Sequence, residues 1–218
     1  MLRPFRILVL GGLALFIYSA FYALPTDDAT AGMFDADKVA NYEVEMWKAA
    51  RVHSEFSIFL NATMMLREQH RLTWFRAAQE GYSLSRALNL FVELNSKYER
   101  VLPDLTDAAA AERAAHDLKF DPAAVARAQL TWMVTARMPN LNDTDSVAGL
   151  MAEDYGLRFR VRPDQVVAAT TPRADAFKIW LAPGIEPDYT TISKLLIESH
   201  RALRLGLERA RAPRSSLR

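Results

Sequence analysis

Two eighteen-residue stretches of this 218-residue chain match without a gap, and a chain that repeats itself builds its fold from copies of one unit. Residues 34–51 read FDADKVANYEVEMWKAAR and residues 120–137 read FDPAAVARAQLTWMVTAR. Six positions are identical: Phe34 and Phe120, Asp35 and Asp121, Val39 and Val125, Ala40 and Ala126, Ala50 and Ala136, Arg51 and Arg137. Glu43 faces Gln129, and the Met46-Trp47 pair faces Trp132-Met133 in reversed order. Farther along, Glu68 pairs with Glu153, Leu72 with Leu157, Arg86-Ala87 with Arg173-Ala174, and Tyr98 with Tyr189. Two units follow, about residues 34–118 and 120–210, within a helical domain over 32–212 that ends in a basic tail at 213–218.

The shared motif is a helix-start device. An Asp35 or Asp121 carboxylate at the N-cap accepts from the first free backbone N–H groups, and the preceding Phe staples onto Val39 or Val125 four residues into the helix. Pro122 falls at the first helical position, where its missing N–H costs nothing. Val39, Tyr42, Met46, Ala49, His53, Phe56, Leu60 and Thr63 recur at three- and four-residue steps, which predicts one helix from residue 36 to about 69 with a buried stripe. The second copy is interrupted by Pro139 and the polar run 140–145 and resumes at Ser146. Further helices are predicted near 73–94 and 163–181. The last begins at Ser96-x-x-Glu99 in one copy, with Pro103 kinking or restarting it, and at Asp188 in the other. The expected fold class is all-α: an N-terminal transmembrane helix followed by an internally duplicated helical bundle.

The transmembrane expectation rests on an uncharged run of 18 residues from Ile7 to Leu24, about 27 Å as a helix and close to a hydrocarbon core. Arg3 and Arg6 precede it and Asp27, Asp28, Asp35 and Asp37 follow, which puts the N-terminus in the cytoplasm of a bacterial inner membrane and the main domain outside. The alternative is a signal segment cleaved near Ala31, which leaves a secreted or periplasmic protein. Past the run, 25 basic residues meet 26 acidic ones, a balance that argues against nucleic acid as a partner. The membrane is the expected partner, with another membrane or envelope protein as a second. Arg201, Arg204, Arg209 and Arg211 form a basic C-terminal stretch able to meet anionic lipid headgroups.

The pattern Phe34-Asp35, Val39-Ala40, then Glu43-x-x-Met46-Trp47 resembles a motif in a family of uncharacterised bacterial membrane-anchored helical proteins. The resemblance continues through Arg67-Glu68-Gln69 and, in the second half, through the Phe120 motif and Arg173-Ala174. It implies a membrane-anchored helical domain and carries no activity, cofactor or catalytic residue with it. Gln129 stands where that pattern would place a second glutamate, which puts a paired-carboxylate role in doubt.

The chain has no cysteine, which excludes disulfide scaffolds, thiolate zinc sites, iron–sulfur clusters and cysteine nucleophiles. No Walker loop, dinucleotide fingerprint, His-Glu-x-x-His or nucleophile elbow is present. No glutamate has a histidine three residues on, as di-metal carboxylate bundles require, and only Glu112 and His116 stand four apart. No cofactor or metal is therefore expected, and the leading function is an extracytoplasmic binding or scaffolding domain rather than an enzyme. The first rival is a carboxylate- or metal-dependent enzyme using some of Glu43, Glu68, Glu153 and His53, whose side chains must then converge on one pocket. Glu68 and Glu153, recurring with Arg51 and Arg137, are otherwise expected to form related ion pairs. The second rival is an apolar-ligand or lipid carrier with Trp47, Phe56, Phe59, Met64, Met65, Trp74, Trp132 and Trp180 around a cavity.

Overall fold

The computed structural model describes residues 3–22, 34–116 and 118–211. These hold nine α-helices and no strand: α1 (Arg3–Phe21), α2 (Ala36–Arg51), α3 (Glu55–His70), α4 (Trp74–Glu93), α5 (Leu102–His116), α6 (Pro122–Arg137), α7 (Thr144–Phe159), α8 (Val167–Leu181) and α9 (Tyr189–Arg211). Short 3-10 turns at Tyr98–Val101 and Pro163–Gln165 lead into α5 and α8. The fold class is all-α.

Side-chain caps set the helix starts. Asp35 accepts from the N–H groups of Asp37 and Lys38 at 3.1 Å each, and Asp121 accepts from Ala123 N–H at 3.0 Å. Asp143 caps α7 through Ser146 N–H at 2.9 Å, and Asp188 caps α9 through Thr190 and Thr191 at 3.0 and 3.1 Å. Phe34 and Val39 are both buried, as the staple requires. No helix begins at Ser96; Pro103 sits in the first turn of α5 and restarts the helix there.

The single long helix expected over 36–69 is two. The chain turns at 52–54, with His53 in the left-handed region at φ 53°, before α3 begins. That turn resets the helical phase. His53, Phe56 and Leu60, placed on the buried stripe by a continuous helix, lie on the outside, with Phe56 73% exposed. The buried face of α2 runs instead through Val39, Ala40, Glu43, Met46, Trp47 and Ala50.

From α2 onward each helix packs on the next through a short connector, and α9 returns to pack on α2. Eight helices thus close a ring around an axis. Trp47, Trp132, Phe177 and Trp180 fill one level of it: Trp47 stacks on Trp180 at 5.3 Å, and Phe177 meets Trp132 edge-on at 5.0 Å. Both indole donors are satisfied, Trp180 Nε1 by Trp47 O at 3.0 Å and Trp132 Nε1 by Asp154 Oδ2 at 3.2 Å.

Arg51 and Arg137 do not pair with Glu68 and Glu153; both are carbonyl anchors. Arg137 donates to Leu94 O at 2.6 Å, on the connector between α4 and α5, and to Val92 O at 3.4 Å, in the last turn of α4, and lies over the Phe91 ring. Arg51 donates to Ile185 O at 3.4 Å, on the connector between α8 and α9.

Helix α1 reaches the ring at α4, where Phe21 stacks on Phe75 with ring centroids 4.7 Å apart. Among the described residues no helix is long and apolar enough to cross a membrane. The span expected from Ile7 to Leu24 falls partly outside those residues, as do Leu24 itself, the cleavage position at Ala31 and the tail beyond Arg211.

Two helical glycines test how tightly the ring is packed. A Cβ on Gly81 would stand 2.6 Å from Thr63 Oγ1 and 2.9 Å from Thr63 N, so α3 and α4 touch there backbone to backbone. A Cβ on Gly149 meets nothing within 4 Å. Helix propensity favours alanine at either site by about 1 kcal/mol, while forced separation of packed helices costs about 1–3 kcal/mol. Gly149→Ala is therefore expected to raise stability, and Gly81→Ala to lower it, in parallel urea unfolding curves.

Candidate functional site

The ring closes around a cavity of about 110 Å³, room for several waters or a molecule of a few heavy atoms. Its wall combines aromatic side chains, Trp47, Trp132 and Phe177, with charged ones, Glu43, Glu80, Asp154, Arg158 and Arg173. Two buried ionic clusters meet there.

The first joins three helices. Glu43 on α2, fully buried, receives both Arg173 guanidinium nitrogens from α8, Nη1 to Oε2 at 2.8 Å and Nη2 to Oε1, a bidentate fork. His200 on α9 completes it through Nε2, 2.8 Å from Glu43 Oε2. A carboxylate only accepts, so Nε2 carries the proton and Nδ1 is left without a hydrogen-bond partner. Burial pushes the Glu43 carboxyl up, but Arg173 and His200 together outweigh it and hold it below the usual range. Burial lowers His200 in spite of Glu43, which keeps the imidazole neutral.

The second centres on Arg158 of α7. It donates through Nη1 to Glu112 Oε2 of α5, through Nη2 to Gln129 Oε1 of α6 at 3.1 Å, and pairs with Asp154 Oδ1 at 3.5 Å. His70 Nδ1 of α3 lies 3.8 Å from Glu112 Oε1, beyond hydrogen-bond reach. Burial pushes the Asp154 carboxyl up against the pull of Arg158 and Trp132. It also takes the Tyr155 hydroxyl up to about 12.

Glu80, on α4, joins neither cluster. It lines the cavity at 3% exposure, and its Oε2 has no hydrogen-bond partner. Burial, reinforced by the nearby Glu112 charge and opposed by Arg158, drives its carboxyl well above the usual 4.5. The folded chain therefore holds a proton on Glu80 that the unfolded chain has released, so Glu80 costs nothing below pH 4.5 and stability is lost as pH rises through its folded pKa. Glu80→Gln removes that loss. In thermal unfolding it is expected to raise the midpoint at pH 8 by a few degrees, roughly 1 kcal/mol in a domain of this size, and to leave it unchanged at pH 4.

Of the four carboxylate and histidine candidates read from the sequence, only Glu43 faces this centre. Glu68 is half-buried at the end of α3 and accepts from Asp35 N–H at 3.4 Å, so it supports the start of α2. Glu153 is exposed, one position off the inward strip of α7, and His53 is exposed 3.9 Å from Glu93. They do not converge. Among the described residues no group of three His, Asp or Glu side chains is placed to hold a metal ion. Of the candidate cavity aromatics, Trp47 and Trp132 line it together with Met65, Trp180 is packed beneath Trp47, and Phe56 and Trp74 face solvent. Arg201 is held bidentately by Asp37 at 3.0 and 2.7 Å, Arg204 lies 3.9 Å from Glu208 and Arg209 is exposed; the Arg211 side chain lies outside the description.

No family model, curated protein or solved structure matches the chain. What the site can do rests on its own residues. Glu80, Glu112, Asp154, Arg158 and His200 form no ligand-spaced motif, so motif spacing does not reveal them. The legible signal was different: a charged side chain on the apolar strip of its helix, as Glu80 stands among Ala77, Leu84, Ala87 and Phe91.

Proposed function

We propose that this chain is an envelope binding module, held on a bacterial inner membrane by its N-terminal segment and presenting its helical ring outside the cytoplasm. The ring is a pair of four-helix units, α2–α5 and α6–α9, and its axial cavity is the binding site. The observation that carries the binding reading is Glu80: a buried carboxyl on the cavity lining whose Oε2 has no hydrogen-bond partner.

Support for the duplication comes from equivalent helix ends. Arg71 after α3 and Arg160 after α7 both adopt the left-handed conformation, at φ 55° and 56°, and each directs its N–H and the next one to a single carbonyl. Arg51 and Arg137 tie down the last connector of the opposite unit, beside Tyr189 and Tyr98 respectively. In this register Glu68 and Glu153 are one helical turn out of step, because the connector at 138–143 is longer than that at 52–54. The anchor is supported by the uncharged run from Ile7 to Leu24 and the arginines ahead of it.

The enzyme reading has less support. Glu43 is locked by Arg173 and His200, and among the described residues no serine, threonine, cysteine or lysine lines the cavity beside Glu80. A lipid carrier is disfavoured by the cavity's size and its charged lining.

The chain lacks cysteine, so Asn140→Cys on an exposed connector supplies a single thiol for testing topology. A membrane-impermeant maleimide is expected to label it in intact spheroplasts; labelling only after lysis contradicts the topology. Binding is tested by comparing native and denatured masses of the full chain extracted in mild detergent. A non-covalent small molecule is expected, lost when Ala108→Met fills the cavity wall with helix content unchanged. Equal masses in both states contradict the reading.

A further inference from the structure

The cavity's unmet polar capacity is almost wholly of one kind. Glu80 Oε2 and Asp154 Oδ1 on the lining, and Glu112 Oε1 near Glu80, are buried oxygens without hydrogen-bond partners. Arg173 neutralises Glu43, while Arg158 is shared between Glu112 and Asp154, with His70 3.8 Å from Glu112. His200 is neutral, and Glu80 has no cation of its own. The missing elements are hydrogen-bond donors and a counter-charge for Glu80.

We infer that the axial cavity binds a small organic cation bearing a primary ammonium, with Glu80 on α4 as its counter-ion. The inference rests on the binding reading above. An ammonium brings three donors and no acceptor, which matches the unpaired oxygens. The lining also includes the indoles of Trp47 and Trp132, a residue type that attracts cations. An anionic guest would add acceptors to a wall already short of donors, at the cost of an unpaired buried charge. A bare metal ion fits poorly, since the carboxylates are not gathered as a ligand set among the described residues.

Proton linkage follows from the same geometry. The groups around Glu80 are Glu112 on α5, Asp154, Tyr155 and Arg158 on α7, Glu43 on α2, Arg173 on α8 and His70 on α3. An entering ammonium displaces the Glu80 proton, so binding strengthens as pH rises, about tenfold per pH unit below the Glu80 pKa.

The test titrates the full chain in detergent with n-propylammonium, propan-1-ol and propionate, following the indole N–H signals by NMR. Trp132 Nε1, bonded to Asp154, is the internal reporter, and the partly exposed Trp74 is the control. The expected result is saturable movement of the Trp132 signal with n-propylammonium at least tenfold tighter than with either isostere. Glu80→Gln is expected to weaken it more than about tenfold and to abolish its pH dependence, while the exposed Glu186→Gln changes neither. Propionate preferred over the ammonium, or Glu80→Gln without effect, overturns the inference. Propan-1-ol bound as tightly as n-propylammonium, and displaced by Ala108→Met, removes the cation and keeps the binding module. Trp132 unmoved by all three probes removes both.

Discussion

Replacing Arg173 with methionine is expected to cost about 3–5 kcal/mol of stability at neutral pH. The side chain is long enough to fill the space, so the loss is electrostatic: it strands the fully buried Glu43 carboxylate with only a neutral imidazole beside it. The pH dependence carries the diagnosis. In the native chain Glu43 is held below 4.5, so its contribution is present above the unfolded value and disappears as pH falls through the folded one. Native and Arg173→Met chains should therefore converge toward acid in urea unfolding. Adding Glu43→Gln to Arg173→Met is expected to restore much of the loss at neutral pH; no restoration would show that Arg173 acts through packing alone.

Arg158→Met is expected to be worse. One guanidinium faces Glu112, Asp154 and, more distantly, Glu80, so its removal leaves three buried carboxyls around the cavity. A loss of about 3–5 kcal/mol for a single broken buried pair is already a large share of a domain's total of about 5–15 kcal/mol. The variant should lack a cooperative thermal transition at pH 7.5 and recover one near pH 4.5, where the carboxyls take up protons. Adding Glu112→Gln should move that recovery upward in pH. A cooperative transition at pH 7.5 within a few degrees of the native chain would mean that Arg158 is solvated and the cluster is not buried.

The helix starts were open to reading because a cap is local. Asp35, Asp121 and Asp188 each announce a helix by a carboxylate two or three residues ahead of the N–H groups it receives, and no distant contact is needed to see it. The break at 52–54 was not legible, since Val52, His53 and Ser54 include neither glycine nor proline, and His53 adopts its left-handed conformation because the packing of α2 on α3 demands it. That hidden turn shifted the apparent stripe and drew His53 into a site it does not join.

The centre was harder to read for a related reason. In a closed ring each helix buries both flanks against its neighbours and offers only a narrow strip to the axis. A single Glu80, Asp154 or Arg158 on that strip interrupts an apolar pattern without forming any spacing of its own. The partners lie far apart in the chain, as Glu43 and His200 do, and only ring closure brings them together. Glu43 was visible because the repeat set it opposite Gln129, and both side chains do face the axis, one on each ionic cluster.

The most direct test follows the glutamate carboxyl carbons by NMR through a pH titration, in the native chain and in Glu80→Gln. One glutamate is expected to titrate well above the rest, its signal absent from Glu80→Gln, which assigns the raised carboxyl at the axis of the ring to Glu80. If every glutamate titrates at or below the ordinary 4.5, the cavity is solvated, Glu80 carries no stored proton, and the binding site proposed around it does not exist.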